Sequence, residues 1–315
     1  MADAQAPRPR YRSIIADSGR WDRFAFRSGD VVISTPPKSG TTWTQMLCAL
    51  LIFDGPAFPA PLGDISPWLD MNIRQLAEVT AALAAQTHRR FIKTHTPLDG
   101  LPLHPEATYL VVGRDPRDVA ISWEHHAANL DFARFLELRA AAVGTEDLAE
   151  LPERRAPSED PVERFRLFVA DEAPSGSPTL ASVLHHLDTG WQHRHDPNVA
   201  LFHYADLKAD LTSELLRLAR VLGIPCSPER ARELGAEASL ARMRERSADD
   251  APNARRGTWK DVRAFFRSGE SGEWRERVST ADLVAYEARV AALAGPDLAA
   301  WAHAGRFASG FDPAG

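Results

Sequence analysis

The sequence predicts an α/β protein built on a P-loop-like parallel sheet flanked by helices. Short apolar runs alternate with longer helical patterns, which is typical of a parallel sheet covered on both faces. The first run also leads through a Pro-rich turn directly into a helix, an arrangement that binds phosphate in many parallel sheets. The predicted strands are residues 30–35, 90–93, 107–113 and 199–204, and the clearest predicted helices are residues 118–130 and 212–222.

Composition excludes several classes of function. The 315 residues carry a formal net charge of −6, whereas a surface that tracks nucleic-acid phosphates needs an excess of Lys and Arg. Cys48 and Cys226 are the only cysteines, and neither lies in a metal-ligand spacing, so we expect a cytoplasmic protein that needs no metal. The longest apolar run, residues 46–53, is far shorter than the roughly 20 residues that span a bilayer. We therefore expect neither a nucleic-acid nor a membrane partner.

The turn after the first predicted strand has the composition of an anion-binding loop. Backbone N–H groups at a strand-to-helix junction point toward one spot, Gly40 allows the anion to approach closely, and Lys38 adds a positive charge. In a nucleoside-triphosphate loop the lysine follows the second glycine, but here Lys38 precedes Gly40, which argues against an ordinary kinase or ATPase. Thr41 and Thr42 add hydroxyl donors to the same anion site.

Residues 37–43, Pro-Lys-Ser-Gly-Thr-Thr-Trp, closely resemble the corresponding loop of the cytosolic-type sulfotransferases. The resemblance implies that the chain binds 3′-phosphoadenosine 5′-phosphosulfate (PAPS) and transfers its sulfuryl group, leaving adenosine 3′,5′-bisphosphate (PAP). It also implies that the nucleotide contacts of this loop are Lys38, Ser39, Gly40, Thr41, Thr42 and Trp43. Charged residues and helix breakers at residues 131–178 predict an inserted lobe or lid on the acceptor side. The predicted organisation is a frayed N-terminal arm at residues 1–29, a sulfotransferase domain at residues 30–295 and a C-terminal tail at residues 296–315.

Residues 91–97 end the second predicted strand and resemble the family's Lys-Thr-His-x-Pro segment. The resemblance implies that His95 is the general base, and an ordinary pKa of about 6.5 suits an imidazole to this task. It also implies that Lys38 and Lys93 flank the sulfate and the 5′-phosphate. There the two lysines would stabilise the charge that grows on the bridging oxygen as the donor bond breaks.

Residues 109–122 resemble the family's second signature, a strand followed by an arginine and a helix. The resemblance implies that Arg114 and Ser122 hold the 3′-phosphate, and Ser122 is counted with the catalytic residues for that reason. An arginine offers two parallel N–H donors to phosphate oxygens. Arg117 and Asp118 are assigned to helix capping and surface pairing.

Residues 266–275 resemble the last motif of the family. The resemblance implies that Arg267 and the backbone N–H of Gly269 also reach the 3′-phosphate. Ser268 stands where the family usually has a lysine, so we expect nucleotide binding to be weakened at this position.

The adenine base is assigned to aromatic and apolar side chains on the same resemblance. Tyr204 matches a tyrosine that contacts adenine, and Ser239 to Met243 resemble the segment that lines the other side of the base. Leu240 replaces the usual phenylalanine there, so we expect stacking on one side only, from Trp43.

Two other functions stay open at this point. A small-metabolite kinase would need a Mg²⁺ ligand from the loop and a strand ending in Asp. A binding module without turnover would be expected to have lost Lys38 or His95, and both are present.

The acceptor is a small-molecule hydroxyl, phenol or amine whose identity the sequence leaves open. Trp68, Phe132 and Phe135 favour an apolar or aromatic one. Val284 occupies the glutamate position of the family's dimer motif, so a homodimer would not use that motif. His125 and His126 are assigned to the surface of a helix, because no carboxylate or cysteine completes a metal site with them.

Overall fold

A parallel sheet of four strands forms the centre of the computed structural model, which describes residues 7–151, 157–172 and 177–313. Its strand order is β2-β1-β3-β4, and Val31 pairs with Phe91 on one side and with Thr108 on the other. Because every pair is parallel, the carboxyl ends of all the strands lie at one edge of the sheet. The predicted α/β fold is therefore confirmed. The strands are β1 Val31–Ser34, β2 Phe91–Thr94, β3 Thr108–Gly113 and β4 Val199–His203.

Helices connect the strands and cover both faces of the sheet. In the described part of the chain the α-helices are α1 Thr41–Ile52, α2 Leu62–Ile65, α3 Leu76–Ala85, α4 Pro116–Asn129, α5 Phe132–Val143, α6 Pro161–Ala170, α7 Leu180–Gln192, α8 Tyr204–Ala209, α9 Leu211–Val221, α10 Pro228–Glu237, α11 Leu240–Glu245, α12 Ser247–Asp250, α13 Thr280–Leu293 and α14 Pro296–Ser309. The 3₁₀ turns are Ser18–Arg23, Leu98–Gly100, Leu148–Glu150, Ala254–Arg256, Arg263–Phe265 and Glu273–Glu276. None of the described helices is long and apolar enough to cross a membrane.

Alternate residues of each strand point into two apolar cores, one on each face of the sheet. Val32 and Tyr109 belong to the core that α7 and α14 complete. Val31, Ile33 and Leu110 belong to the opposite core, which α1 and α9 complete. This alternation explains why the strands read as continuous apolar runs, because both of their faces are buried.

The ends of the chain pack on the domain where the structure describes them. The sequence predicted a frayed arm, but Trp21 is 1% exposed and belongs to the α7 core. The predicted tail forms α14, and its Trp301 lies where a Cβ on Gly113 would come within 2.8 Å of the indole. Leu298, Trp301 and Ala302 share one helical face, which is the sequence signal for this helix. Residues 1–6 and 314–315 lie outside the described residues.

The predicted lobe at residues 131–178 contains α5 and α6, and its residues 152–156 and 173–176 lie outside the described residues. Arg139 of α5 is buried, donates to the Ile14 carbonyl oxygen over 3.1 Å and pairs with Asp147 at 2.7 Å. These contacts join the lobe to the N-terminal arm. The lid role and the domain boundaries stay predictions.

Candidate active site

A cavity of about 1060 Å³ opens at the carboxyl ends of the strands. The residues that immediately follow three of the strands line it: His95 after β2, Arg114 after β3 and Tyr204 after β4. The loop between β1 and α1 forms another wall. This is the edge at which open parallel sheets bind their ligands.

The loop between β1 and α1 has the backbone of an anion site. Lys38 has φ +68°, and Gly40, the N-cap of α1, has φ +95°, so both lie in the left-handed region. Only glycine fits at residue 40, because a Cβ there would lie 3.0 Å from the ring of Tyr204. A guanidinium nitrogen of Arg114 donates to the Lys38 carbonyl oxygen over 3.0 Å and holds this geometry. The N-terminus of α1 therefore faces the cavity at the place predicted for a phosphate.

His95 is held in one tautomer. Its Nδ1 lies 2.7 Å from the Thr35 carbonyl oxygen, which can only accept, so Nδ1 carries the proton and Nε2 is free to take one. The ring of Trp68 packs edge-on at a centroid distance of 4.6 Å. Burial, and then the positive charge of Lys93, hold the pKa of His95 well below its ordinary range. The imidazole is therefore neutral at neutral pH, as a general base must be.

Several basic side chains line the cavity, among them Lys38, Lys93 and Arg114. Burial lowers the pKa of Lys38 to about 7, with repulsion from Arg114 as the next cause. Burial also lowers the pKa of Lys93 to about 8. Among the described residues, neither lysine forms an ion pair with a carboxylate. Desolvated cations of this kind indicate a site that is completed by a bound anion.

The residues predicted for the 3′-phosphate come from three separate segments of the chain. Arg114 is 8% exposed, stacks over Tyr204 at 4.4 Å and donates to the Glu270 carbonyl oxygen over 3.1 Å. Its buried Nε has no partner among the described residues. Ser122, Arg267, Ser268 and Gly269 line the same cavity, and their binding of the 3′-phosphate stays a prediction. A buried, incompletely bonded guanidinium fits a phosphate.

The predicted adenine end is formed by Trp43, Tyr204, Leu240 and Met243, which all line the cavity. Trp43 and Tyr204 pack edge to face at 5.5 Å. Ser239, by contrast, is the N-cap of α11, because its hydroxyl accepts from the Arg242 N–H.

Thr41 and Thr42 line the cavity at the start of α1, whereas two of the predicted contact residues do not. The Ser39 side chain is buried away from the cavity, and the hydroxyl of Ser239 is used for capping. Thr35 and Thr41 share a hydrogen bond of 2.6 Å, which ties the end of β1 to the first turn of α1.

Several residues near the site were missed by the sequence prediction. Asp118 was assigned to surface pairing, but it is 6% exposed and accepts from the Gly272 N–H at 2.7 Å, which fixes the segment carrying Arg267. The N-cap is Asp115 instead. Tyr11 of the N-terminal arm lines the cavity, and no local pattern around it indicates this.

His126 was placed on a helix surface and is instead part of the cavity wall. Its Nδ1 lies 3.2 Å from Lys38 Nζ, and Trp123, Trp259 and Phe265 surround its ring. The spacing of Ser122 and His126, four residues apart on one helix, is a signal that could have placed both on the same face. In the described part of the chain no group of His, Cys, Asp or Glu is arranged to hold a metal ion.

Comparison with known proteins agrees with this site. A family model described as a sulfotransferase domain matches residues 28–291. A glycolipid sulfotransferase of Mycobacterium bovis (strain BCG / Pasteur 1173P2) is 49% identical over 322 residues, which cover 96% of each protein. Sulfotransferase 1E1 of Bos taurus is 24% identical over 87% of this chain and 86% of its own length.

Solved structures show the same fold. Retinol dehydratase in complex with retinol and PAP superposes with a TM-score of 0.67 at 23% identity, covering 88% of this chain and 86% of its own. The mouse sulfotransferase SULT7A1 complexed with PAP gives a TM-score of 0.66 at 20% identity and 89% coverage of each chain. Fold and cavity together define an α/β domain with a basic cavity at the carboxyl ends of its strands.

The chain belongs to the sulfotransferase family. The predicted PAPS-dependent sulfotransferase activity is confirmed at this level, and the kinase and the non-catalytic module are set aside. The roles of individual residues are proposals and are argued below.

Binding of PAP at pH 8 should be accompanied by uptake of on the order of one proton. At this pH Lys38, with a pKa of about 7, is mostly neutral, and Lys93, with a pKa of about 8, is partly neutral. A phosphate beside them raises both pKa values, so protons are taken from the buffer. Isothermal calorimetry in buffers of different ionisation enthalpy measures this uptake.

Lys38→Met should lose most of the uptake, whereas Lys260→Met, an exposed lysine outside the cavity, should keep it. Working at pH 8 leaves the phosphates of PAP fully ionised, since their second pKa is near 6. Equal heats in all buffers for the unmodified protein would show that the lysines are already charged before the anion binds.

Proposed function

We propose that this enzyme transfers the sulfuryl group of PAPS to a hydroxyl of an amphipathic acceptor such as a glycolipid, with His95 as general base. The observation that carries the proposal is one cavity lined both by a neutral imidazole and by Lys38, Lys93 and Arg114. A base and an anion site must share a cavity if a hydroxyl is to attack an anionic donor.

The residues present fit the donor. The start of α1, with Lys38, suits the 5′ end of the nucleotide, and Arg114 with Ser122 and Arg267 suits the 3′-phosphate. The unpartnered Nε of buried Arg114 supports this assignment. When bound, PAPS supplies the sulfuryl group and a stable leaving group. PAPS and PAP need no metal in this scheme, since side-chain cations supply the positive charge.

His95 acts on the acceptor. Its Nε2 accepts the hydroxyl proton as the acceptor oxygen bonds to sulfur and the bond between sulfur and the bridging oxygen breaks. The Thr35 carbonyl, at 2.7 Å from Nδ1, stabilises the imidazolium that forms. Lys38 and Lys93 offset the negative charge that moves onto the bridging oxygen, and burial strengthens this effect.

The acceptor class is inferred from the cavity lining and from the most similar relatives. Trp68, Met71, Leu130, Phe135 and Trp259 line the cavity beyond the predicted nucleotide residues. Aromatic and apolar walls suit an acyl chain or the apolar face of a sugar ring. The relative that is 49% identical is named a glycolipid sulfotransferase, which favours a glycolipid over a small phenol.

We also propose a cytoplasmic location, in keeping with two cysteines that are both free.

His95→Ala and His95→Asn should each lower kcat by about 100- to 10,000-fold, the usual contribution of a general base. PAP affinity should stay within about threefold, because His95 contacts no predicted phosphate ligand. The side-chain amide of Asn can still donate to the Thr35 carbonyl oxygen but cannot act as a base. A loss of activity in His95→Asn is therefore due to the missing base and not to the missing hydrogen bond. Turnover with labelled donor and calorimetry with PAP measure the two effects.

The control for this pair is His193→Ala, an imidazole outside the cavity that bonds to Asp196 at 2.7 Å. We expect it to behave as the unmodified enzyme. A His95→Asn enzyme with the original kcat would remove His95 from its role as base.

Among phenols, simple alcohols, amines, free sugars and glycolipids offered with labelled PAPS, the glycolipids should give the highest kcat/KM. A free sugar lacks the apolar surface that the cavity would bury, at about 25 cal/mol per Å². Phe135→Ser should lower kcat/KM for glycolipids more than for free sugars, since Phe135 of α5 is one of the apolar residues that line the cavity. A phenol that outperforms every glycolipid, with no selective effect of Phe135→Ser, would contradict the proposed acceptor class.

A further inference from the structure

We infer that His126 is a positioning residue for Lys38 in sulfuryl transfer; the inference rests on the proposed function of Lys38. Nδ1 of His126 lies 3.2 Å from Lys38 Nζ. A lysine N–H can donate to this nitrogen only when the nitrogen carries no proton. When Lys38 is an ammonium, His126 must therefore be the neutral tautomer with its proton on Nε2.

The ring of His126 is fixed by its surroundings. Trp123 stacks on it at 5.2 Å with an interplanar angle of 27°, and Trp259 packs edge-on at 4.9 Å. Ser122 lies one turn earlier on α4, so the same helix face carries a predicted phosphate ligand and the partner of Lys38. A ring held in this way is a rigid acceptor.

Lys38 needs such an acceptor. A lysine ammonium is a point charge on a flexible stem, and Lys38 is repelled by Arg114, Lys93 and Arg267. Its backbone is held by the bond from Arg114 to its carbonyl oxygen, and its ammonium lies 5.0 Å from the centre of the Phe265 ring. The hydrogen bond to His126 fixes the end of the side chain.

A neutral imidazole is well suited to this task. A carboxylate in place of His126 would also hold the Lys38 ammonium, but its negative charge would cancel the positive charge that Lys38 presents to the anionic donor. Burial, together with the charges of Lys38 and Lys93, keeps the pKa of His126 well below its ordinary range, so it stays an acceptor at neutral pH.

The test is a double-mutant cycle with two substitutions of opposite character. His126→Phe keeps an aromatic ring and removes the acceptor, whereas His126→Asn removes the ring and keeps an oxygen near the position of Nδ1. We expect His126→Phe to lower kcat by about 10- to 100-fold, the value of one hydrogen bond to a charged group, with KM for PAPS and PAP affinity within about threefold. His126→Asn should recover most of the lost kcat.

Each substitution is also made in a Lys38→Met enzyme and assayed in single turnovers. If His126 acts through Lys38, His126→Phe should change the rate there by less than about twofold. Equal losses in both backgrounds, or an Asn enzyme as slow as the Phe enzyme, would overturn the inference. Should His126→Phe fold poorly by thermal unfolding, His126→Leu replaces it in the same comparison.

Failure of the proposed function gives a different pattern. A Lys38→Met enzyme with unchanged kcat would contradict the proposed role of Lys38 and this inference with it. A slow Lys38→Met enzyme together with additive losses would overturn only the role of His126.

Discussion

The hydrogen bond from Arg114 to the carbonyl oxygen of Lys38 is the interaction on which the rest of the site depends. It joins the end of β3 to the loop after β1 over 3.0 Å and holds Lys38 at φ +68°. A non-glycine residue in that region costs on the order of 1–3 kcal/mol, so the loop needs a fixed partner. Arg114 thus shapes the loop between β1 and α1 and is also a predicted ligand of the 3′-phosphate. Loss of Arg114 would therefore disturb both ends of the nucleotide site.

The second constraint is charge. Burying Lys38, Lys93 and Arg114 in one cavity is unfavourable. Burial lowers the pKa of both lysines, and repulsion from Arg114 lowers that of Lys38 further. Burial, together with the positive charges of Lys93 and Lys38, keeps His95 deprotonated. When a donor with several negative charges binds, it offsets the repulsion between Lys38 and the neighbouring basic side chains. This effect makes donor binding more favourable. The arrangement therefore couples donor binding to the protonation of the lysines, and it leaves the base ready for the acceptor proton.

Local sequence patterns were sufficient to predict the sheet, and the family resemblance picked out His95, Arg114, Ser122 and Arg267, which all line one cavity because each lies at the end of a recognisable strand or motif. Their roles in catalysis and binding stay predictions. They were insufficient for residues whose position depends on tertiary packing. His126 faces Lys38 only because α4 and the segment around Trp259 and Phe265 meet there. Asp118 is buried because the segment at Gly272 folds over it. Ser239 matches a motif in sequence, yet its hydroxyl caps a helix. Residues 296–315 were predicted to be a tail, although the apolar face formed by Leu298, Trp301 and Ala302 is a helix signal in the sequence.

The proposed nucleotide site is tested most directly by comparing the binding of two nucleotides by isothermal calorimetry at moderate salt. The proposed function requires two anion pockets in this one cavity, one at the start of α1 and one at Arg114, which would bind the two ends of one adenosine bisphosphate. We predict that adenosine 3′,5′-bisphosphate binds at least about 10-fold more tightly than ATP, since the second pocket contributes one bidentate charge-assisted contact of about 1.5–3 kcal/mol, which corresponds to roughly 10- to 160-fold in affinity. Tight binding of ATP with no detectable heat from the bisphosphate would contradict it.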